Sequence, residues 1–260
     1  MCFLQVCFIR YRSDAERLRE GQDPPLHCER GDRVVEYIFL DLDDTILDFG
    51  RQEHYAITRT LGEFGIEPTA DVAARYVAHS ERCWRAMERG ELDREEVRVR
   101  RFRLLFEEIG VNADPAAVSE CYTRYLGVGH YFLPGAQEAV ENLAKKYRLF
   151  LATNGSYCVQ HSRMTSAGLY PYFEQCFVSK QMGHHKPRRE FFEEAFGRIP
   201  GFDPERAIVV GDSLTSDIRG GINAGIRTCW INPGQKPRTE IVPDHEIRSI
   251  TELEKLLDTL

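Results

Sequence analysis

The sequence has no C-x-x-C pair, no surplus of basic charge, and no apolar run near the roughly 18 residues that a membrane-spanning helix needs. Its eight cysteines, Cys2, Cys7, Cys28, Cys83, Cys121, Cys158, Cys176 and Cys229, are scattered along the chain. That spacing speaks against structural zinc and for free thiols in a reducing cytosol. A formal net charge of −7 and a pI near 5.7 speak against binding a nucleic acid polymer, while leaving room for a local basic pocket that holds a small phosphate. The opening MCFLQVCFI is apolar but has no basic region ahead of it and no small-residue cleavage site, and it runs straight into the charged RYRSDAERLRE, so a signal peptide is not expected. With no membrane segment, the chain is expected to be cytoplasmic.

What is present is a chain of 260 residues, 42% of them apolar, long enough to bury a sizeable core. Residues 1–33 carry GQDPPLHCERGD and are expected to be an N-terminal extension, disordered in part, outside the main fold. Beyond them short apolar runs, VVEYIFLDL, YRLFLATNG, EQCFVSK, RAIVVGDS, IRTCWINP and HEIRSI, read as strands alternating with amphipathic helices. The helices are expected near 135–147, 157–167, 188–198, 215–224 and 251–257, with Gly225 as a C-cap. Strand–helix alternation predicts an α/β fold with a doubly wound parallel sheet. Residues 51–131 break the rhythm and read as helical throughout, an inserted cap domain between two pieces of a core domain, 34–50 and 132–260. Asp93 with Glu96 fits a capping box there, and Asp114-Pro115 fits a helix start.

The run YIFLDLDDTILDF raises an electrostatic problem, because Asp41, Asp43 and Asp44 crowd the end of an apolar strand. Carboxylates so placed repel one another and are costly to desolvate, so a cation is expected among them. In an open parallel sheet, ligands bind beyond the carboxyl ends of the strands. Asp41, Asp43, Thr153, Asn154, Asp212 and Asp217 should therefore converge, with Lys186 just ahead of a helix. Oxygen ligands of this kind favour Mg²⁺ over zinc. Asp44 reads as an outward-facing turn residue, and His184 and His185 as shaping the loop that carries Lys186.

The ordered set DLDDT, TN, KP and GDSLTSD, with a helical insert after the first, resembles the four motifs of the haloacid dehalogenase-like (HAD) superfamily. The resemblance covers the chain from about Val34 onward. It implies that Asp41 is a nucleophile forming an aspartyl phosphate, and that Asp43 is the general acid and then the base. It also implies that Asp41, the Asp43 carbonyl and Asp212 hold Mg²⁺ with support from Asp217. Thr153, the Asn154 amide and Lys186 would bind the phosphoryl group. The presence of Asp43 favours phosphate ester hydrolysis over dehalogenation, since a departing halide needs no proton.

Within the superfamily, FLDLDDTILDF, GELDREEVRVRRFRLLFEEIG, LATNG and VGDSLTSDIRGGINAGIRTCWINP look most similar to the YjjG-type pyrimidine 5′-nucleotidases. A nucleoside monophosphate is the implied substrate. A sugar-phosphate or N-acylneuraminate-9-phosphate phosphatase is the enzyme alternative, and a non-catalytic phosphate-binding or partner-binding protein is the alternative from another class. The basic run REEVRVRRFR reads mainly as a solvated helix face, with Arg98 or Arg101 able to reach substrate. Trp84, Tyr76, Arg101 and His130 are candidates for contacting the leaving group, but aromatics on an amphipathic cap helix belong at its core seam more often than in a pocket.

Overall fold

The first apolar run forms β1 (Tyr37–Leu40), all four residues of which are buried. Burial on both faces explains why this strand is hydrophobic throughout and does not alternate. The computed structural model describes residues 35–260 apart from Arg238, so the expected N-terminal extension, with Cys2, Cys7 and Cys28, lies outside the described residues.

β1 is followed by a helical stretch: α1 (Phe49–Glu63), α2 (Ala70–Glu88), α3 (Arg94–Ile109) and α4 (Pro115–Leu126), then α5 (Ala136–Ala144). The other strands are β2 (Arg148–Thr153), β3 (Gln175–Val178), β4 (Ala207–Gly211), β5 (Arg227–Ile231) and β6 (His245–Ile247). Between and after them run α6 (Tyr157–Ser166), α7 (Ser179–Met182), α8 (Arg189–Gly197), α9 (Arg219–Ala224) and α10 (Leu253–Leu257). The sheet is parallel throughout, in the order β3-β2-β1-β4-β5-β6. Phe39 pairs with Phe150 on one side and with Val209 on the other. Strand order therefore reverses beside β1, and the reversal opens a crevice at the carboxyl ends of β1 and β4.

Alternate strand residues feed opposite faces of the sheet. Ile38, Leu149, Leu151, Ile208 and Val210 pack under α5 and α10, while Tyr37, Phe39, Phe150, Phe177 and Val209 pack against the phenylalanines of α8. Helices α1–α4 share a separate core built on Ile57, Leu61, Tyr76, Phe102, Val118 and Tyr122. Val159 of α6 packs into that core, so α6 is an element through which the helical insert rests on the sheet. The capping signals hold: Asp93 accepts from the Glu96 N–H at 2.8 Å while Glu96 accepts from the Asp93 N–H at 2.8 Å. Asp114 caps α4, whose first residue is Pro115, and Gly225 ends α9 with φ 72°.

One helix differs from expectation. The predicted helix near 215–224 starts as a π-helical turn, Leu214–Ile218, and becomes α-helical only at Arg219. The reason is local: Ser213 caps the turn through its hydroxyl, and Asp217 folds back so that its Oδ2 accepts from the Ser213 N–H at 3.1 Å. No helix among the described residues is long and apolar enough to cross a membrane.

Candidate active site

Asp41 is the first residue past β1, held there by its N–H donating to the Val210 carbonyl at 3.0 Å. Asp212 follows β4 directly, and the Trp230 indole fixes its carbonyl at 2.8 Å. Asp217 reaches the same place from the π-helical turn. That approach needs Gly211, because a Cβ at position 211 would lie 2.2 Å from Asp217 Oδ2. The carboxylates of Asp41, Asp212 and Asp217 each bring an oxygen within 4.8 Å of the others.

Lys186 enters from the loop after α7 and is 2% exposed. Its Nζ donates to Asp41 Oδ1 at 2.6 Å, to Asp217 Oδ1 at 2.6 Å and to the Ala152 carbonyl at 2.5 Å, using all three protons of the ammonium. Asn154 anchors that loop with both ends of its side chain: Nδ2 donates to the Lys186 carbonyl at 2.9 Å and Oδ1 accepts from the Lys186 N–H at 3.0 Å. Thr153 is 1% exposed, and its Oγ1 accepts from the Gly155 N–H and from Gln160 Nε2, both at 3.0 Å. With its acceptor capacity used, that hydroxyl has its proton free to donate.

Charge does not balance in this cluster. With all three carboxyls ionised they face one ammonium, and two negative charges are left over. Burial pushes the Asp41 carboxyl up to about 7 against the pull of Lys186, with Asp217 and Asp43 adding to the rise. Burial, then Asp217 and Asp41, hold Asp212 well above the usual carboxylate range. Burial would lower Lys186, but Asp217 and Asp41 outweigh it and raise the ammonium instead. A hard divalent cation fits an all-oxygen donor set with this surplus.

These residues open onto a cavity of about 320 Å³. Asp41, Asp43, Thr153, Asn154, Lys186, Asp212, Asp217 and Arg101 all line it. Its far wall comes from the helical insert and includes Trp84 and Glu88 of α2, Arg94 and Arg98 of α3, and Tyr122 of α4. One sequence expectation needs correcting. Arg101 is not on a solvated face: it is 5% exposed, with its guanidinium 4.6 Å from the Tyr122 ring centroid. Tyr76 is fully buried against Phe102 and Tyr122, and neither it nor His130 lines the cavity. His185 accompanies the Lys186 loop, with Nδ1 2.9 Å from the Lys186 carbonyl. Asp44 is exposed at φ 55° and accepts from the Phe49 N–H at 2.9 Å, a turn role that Asp tolerates.

The sequence reading missed Arg94, Gln160 and Arg163. Arg94 donates to Ser179 Oγ at 2.7 Å and to the Asn154 carbonyl, tying the insert to the turn after β2. It was legible as an anomaly, since a cation in the first turn of a helix opposes the macrodipole and so needs another partner. Gln160 and Arg163 sit three positions apart on α6 and both contact the Asp43 carboxylate.

Comparison with known proteins agrees with this arrangement. A family model for haloacid dehalogenase-like hydrolases matches residues 35–225. The chain is 41% identical to the HAD-hydrolase YfnB of Bacillus subtilis over 85% of its own length and 94% of that protein. It is 36% identical to the pyrimidine 5′-nucleotidase PynA of Streptococcus pneumoniae, over 85% of this chain and 94% of that one. To the pyrimidine 5′-nucleotidase YjjG of Escherichia coli it is 29% identical, over 85% and 97%. A crystal structure of YfnB bound to magnesium superposes with a TM-score of 0.83 at 40% identity, covering 86% of this chain and 99% of that one. With its six-stranded parallel sheet, its acidic crevice and these matches, the chain belongs to the haloacid dehalogenase-like hydrolase family.

Proposed function

We propose that the protein is a Mg²⁺-dependent phosphatase that hydrolyses nucleoside 5′-monophosphates, pyrimidine nucleotides foremost, through an aspartyl phosphate on Asp41. The observation that carries this reading is the pairing of Asp41 with Lys186 at the floor of the cavity, with Asp43 two residues away in the same wall. Lys186 favours the ionised form of the buried Asp41 carboxyl against the cost of burial and orients it, as a nucleophile requires. One Asp41 oxygen attacks phosphorus, and the ester oxygen departs on the opposite side with a proton from Asp43. Asp43, now a carboxylate, takes a proton from water as that water attacks the acyl phosphate, and Asp41 and inorganic phosphate are released.

Thr153 donates its hydroxyl proton to a phosphoryl oxygen beside the Lys186 ammonium, and the backbone N–H of Asn154 adds a second donor. Asp41, Asp212 and the Asp43 carbonyl would hold Mg²⁺, with Asp217 in support. When bound, the ion offsets the two surplus negative charges and withdraws charge from the phosphoryl oxygens. In this reading residues 51–131 form the cap domain over a core of 34–50 and 132–260, and the enzyme works in the cytoplasm on a small phosphate ester.

Two observations favour a nucleotide. The residues lining the cavity include the aromatics Trp84 and Tyr122 and the arginines Arg94, Arg98 and Arg101, a composition that suits a flat base with carbonyl acceptors. PynA and YjjG, both named as pyrimidine 5′-nucleotidases, match over 85% of the chain. The test is a panel of UMP, dUMP, TMP and sugar phosphates, with and without chelator, on wild type and Asp41→Asn. Nucleotides should rank first, and Asp41→Asn should be inactive. Sugar phosphates ahead by tenfold would refute the nucleotidase assignment, and an active Asp41→Asn would refute the mechanism.

A further inference from the structure

Asp43 does not stand alone in the cavity wall. Gln160 Nε2 donates to its Oδ2 at 2.7 Å and Arg163 Nη1 donates to its Oδ1, so each carboxylate oxygen has its own partner. Arg163 Nη1 also donates to Gln160 Oε1 at 3.0 Å, and Gln160 Nε2 reaches Thr153 Oγ1 at 3.0 Å. This closed network fixes the Gln160 amide: Arg163 is a donor only, so the amide oxygen faces it and the amide nitrogen faces Asp43.

Both partners are deeply buried. Gln160 is 2% exposed and Arg163 0%, whereas the Asp43 side chain is 25% exposed. Arg163 Nε and Nη2 are buried without a hydrogen-bond partner, a cost that a residue kept for packing alone would avoid. Gly155 makes room for the arrangement. A Cβ at position 155 would lie 2.0 Å from Gln160 Nε2 and 2.4 Å from its Cδ, so the glycine after Asn154 lets the amide pass behind the turn.

We propose that Gln160 and Arg163 are positioning residues that hold the Asp43 carboxylate for proton transfer. This rests on the phosphatase reading above. A carboxylate a quarter exposed on a turn samples several rotamers; two buried donors on one rigid helix select one. α6 is well placed to do so, because Val159 packs into the core of the helical insert and Ser162 Oγ donates to the Gly127 carbonyl at 2.7 Å, next to the pair. The orientation of Asp43 is thus set by the helix on which the insert rests.

The test separates proton transfer from the rest of catalysis by the leaving group. p-Nitrophenolate departs without a proton, whereas an alkyl oxygen must be protonated as it leaves. In Arg163→Met, kcat/KM for p-nitrophenyl phosphate should stay within about threefold of wild type. For an alkyl phosphate monoester that the wild type hydrolyses, it should fall at least tenfold. With p-nitrophenyl phosphate, kcat and KM should fall together and a burst of p-nitrophenol should appear, because hydrolysis of the phosphoenzyme still needs the base. Arg163→Lys should recover part of the loss.

Equal losses on both esters, or no loss on either, would overturn the inference while leaving the phosphatase reading intact. If the wild type hydrolyses neither ester, that reading falls and the inference with it. Should Arg163→Met fail to fold, judged by circular dichroism and thermal unfolding, Gln160→Met carries the comparison as a ratio: it also frees Thr153 Oγ1, so both esters lose, but the alkyl ester should lose at least threefold more.

Discussion

Arg94, the first residue of α3, donates a hydrogen bond to the carbonyl of Asn154, 60 positions further along the chain. A second bond reaches Ser179 Oγ at 2.7 Å, so one guanidinium from the helical insert fastens both the turn after β2 and the start of α7. Both bonds are charge-assisted, each worth about 1.5–3 kcal/mol. Arg94→Ala is expected to lower kcat/KM on the best phosphate ester at least tenfold while the folded state survives. Steady-state kinetics with a melting curve on the same sample checks this, and an unchanged kcat/KM would remove Arg94 from the working site.

Lys186 bridges two buried carboxylates, so its removal does more than delete a charge. Lys186→Met leaves Asp41 and Asp217 facing each other without a cation, and breaking a buried pair in this way costs about 3–5 kcal/mol. Denaturant unfolding should show that loss in chelator. Adding Asp217→Asn should restore part of it, because one of the two orphaned charges is then gone. No recovery in the double variant would mean that repulsion is not the cause.

Much of this was legible in the sequence, and the limits follow from physics. β1, β2 and β4 are continuous apolar runs because both faces of the sheet are covered, and each ends where a polar residue enters the crevice. Local order in the motif residues therefore told where Asp41, Thr153 and Asp212 would meet. Arg101 was harder to place. In REEVRVRRFR every arginine looks alike, and only helix phase against α2 and α4 distinguishes buried Arg101 from exposed Arg100 and Arg103. Gln160 and Arg163 were missed because their partner, Asp43, is 117 and 120 positions away. The π-helical turn at Leu214–Ile218 depends on Asp217 folding back on Ser213, a side-chain event that periodicity does not encode.

Glu53 gives the molecule a pH dependence unrelated to the acidic cluster. It is 9% exposed on α1 and accepts from the Tyr122 hydroxyl at 3.2 Å. Burial raises its carboxyl from the ordinary 4.5 to about 7, against the pull of Arg101 and Tyr122, with Asp44 and Glu81 adding to the rise. The folded state therefore holds this proton to higher pH than the unfolded chain does. Stability from this group is complete below about pH 4.5 and is lost as pH rises to about 7, by about 3 kcal/mol in all. Unfolding free energies of wild type and Glu53→Gln, measured from pH 4.5 to 8, should diverge in that window and run parallel above it. Parallel curves throughout would place the Glu53 carboxyl at its ordinary value.

Asp212 should change the sign of its contribution to stability when magnesium is added. Without the ion its carboxylate is desolvated and faces Asp217 and Asp41, which is why its proton is held so tightly. Asp212→Asn removes that repulsion, so in chelator at pH 8 the variant is expected to unfold later than wild type. With Mg²⁺ at a hundredfold excess over its dissociation constant, the wild type should gain about 2.7 kcal/mol from binding to the native state alone. The variant, lacking one of three carboxylates, should gain little, and the order of the two melting temperatures should invert. Thermal unfolding in EDTA and in Mg²⁺ reads both halves without any turnover. If the wild type melts at the same temperature in both, the acidic cluster does not hold the ion. If Asp212→Asn shifts as far as wild type, the ion is held by other groups.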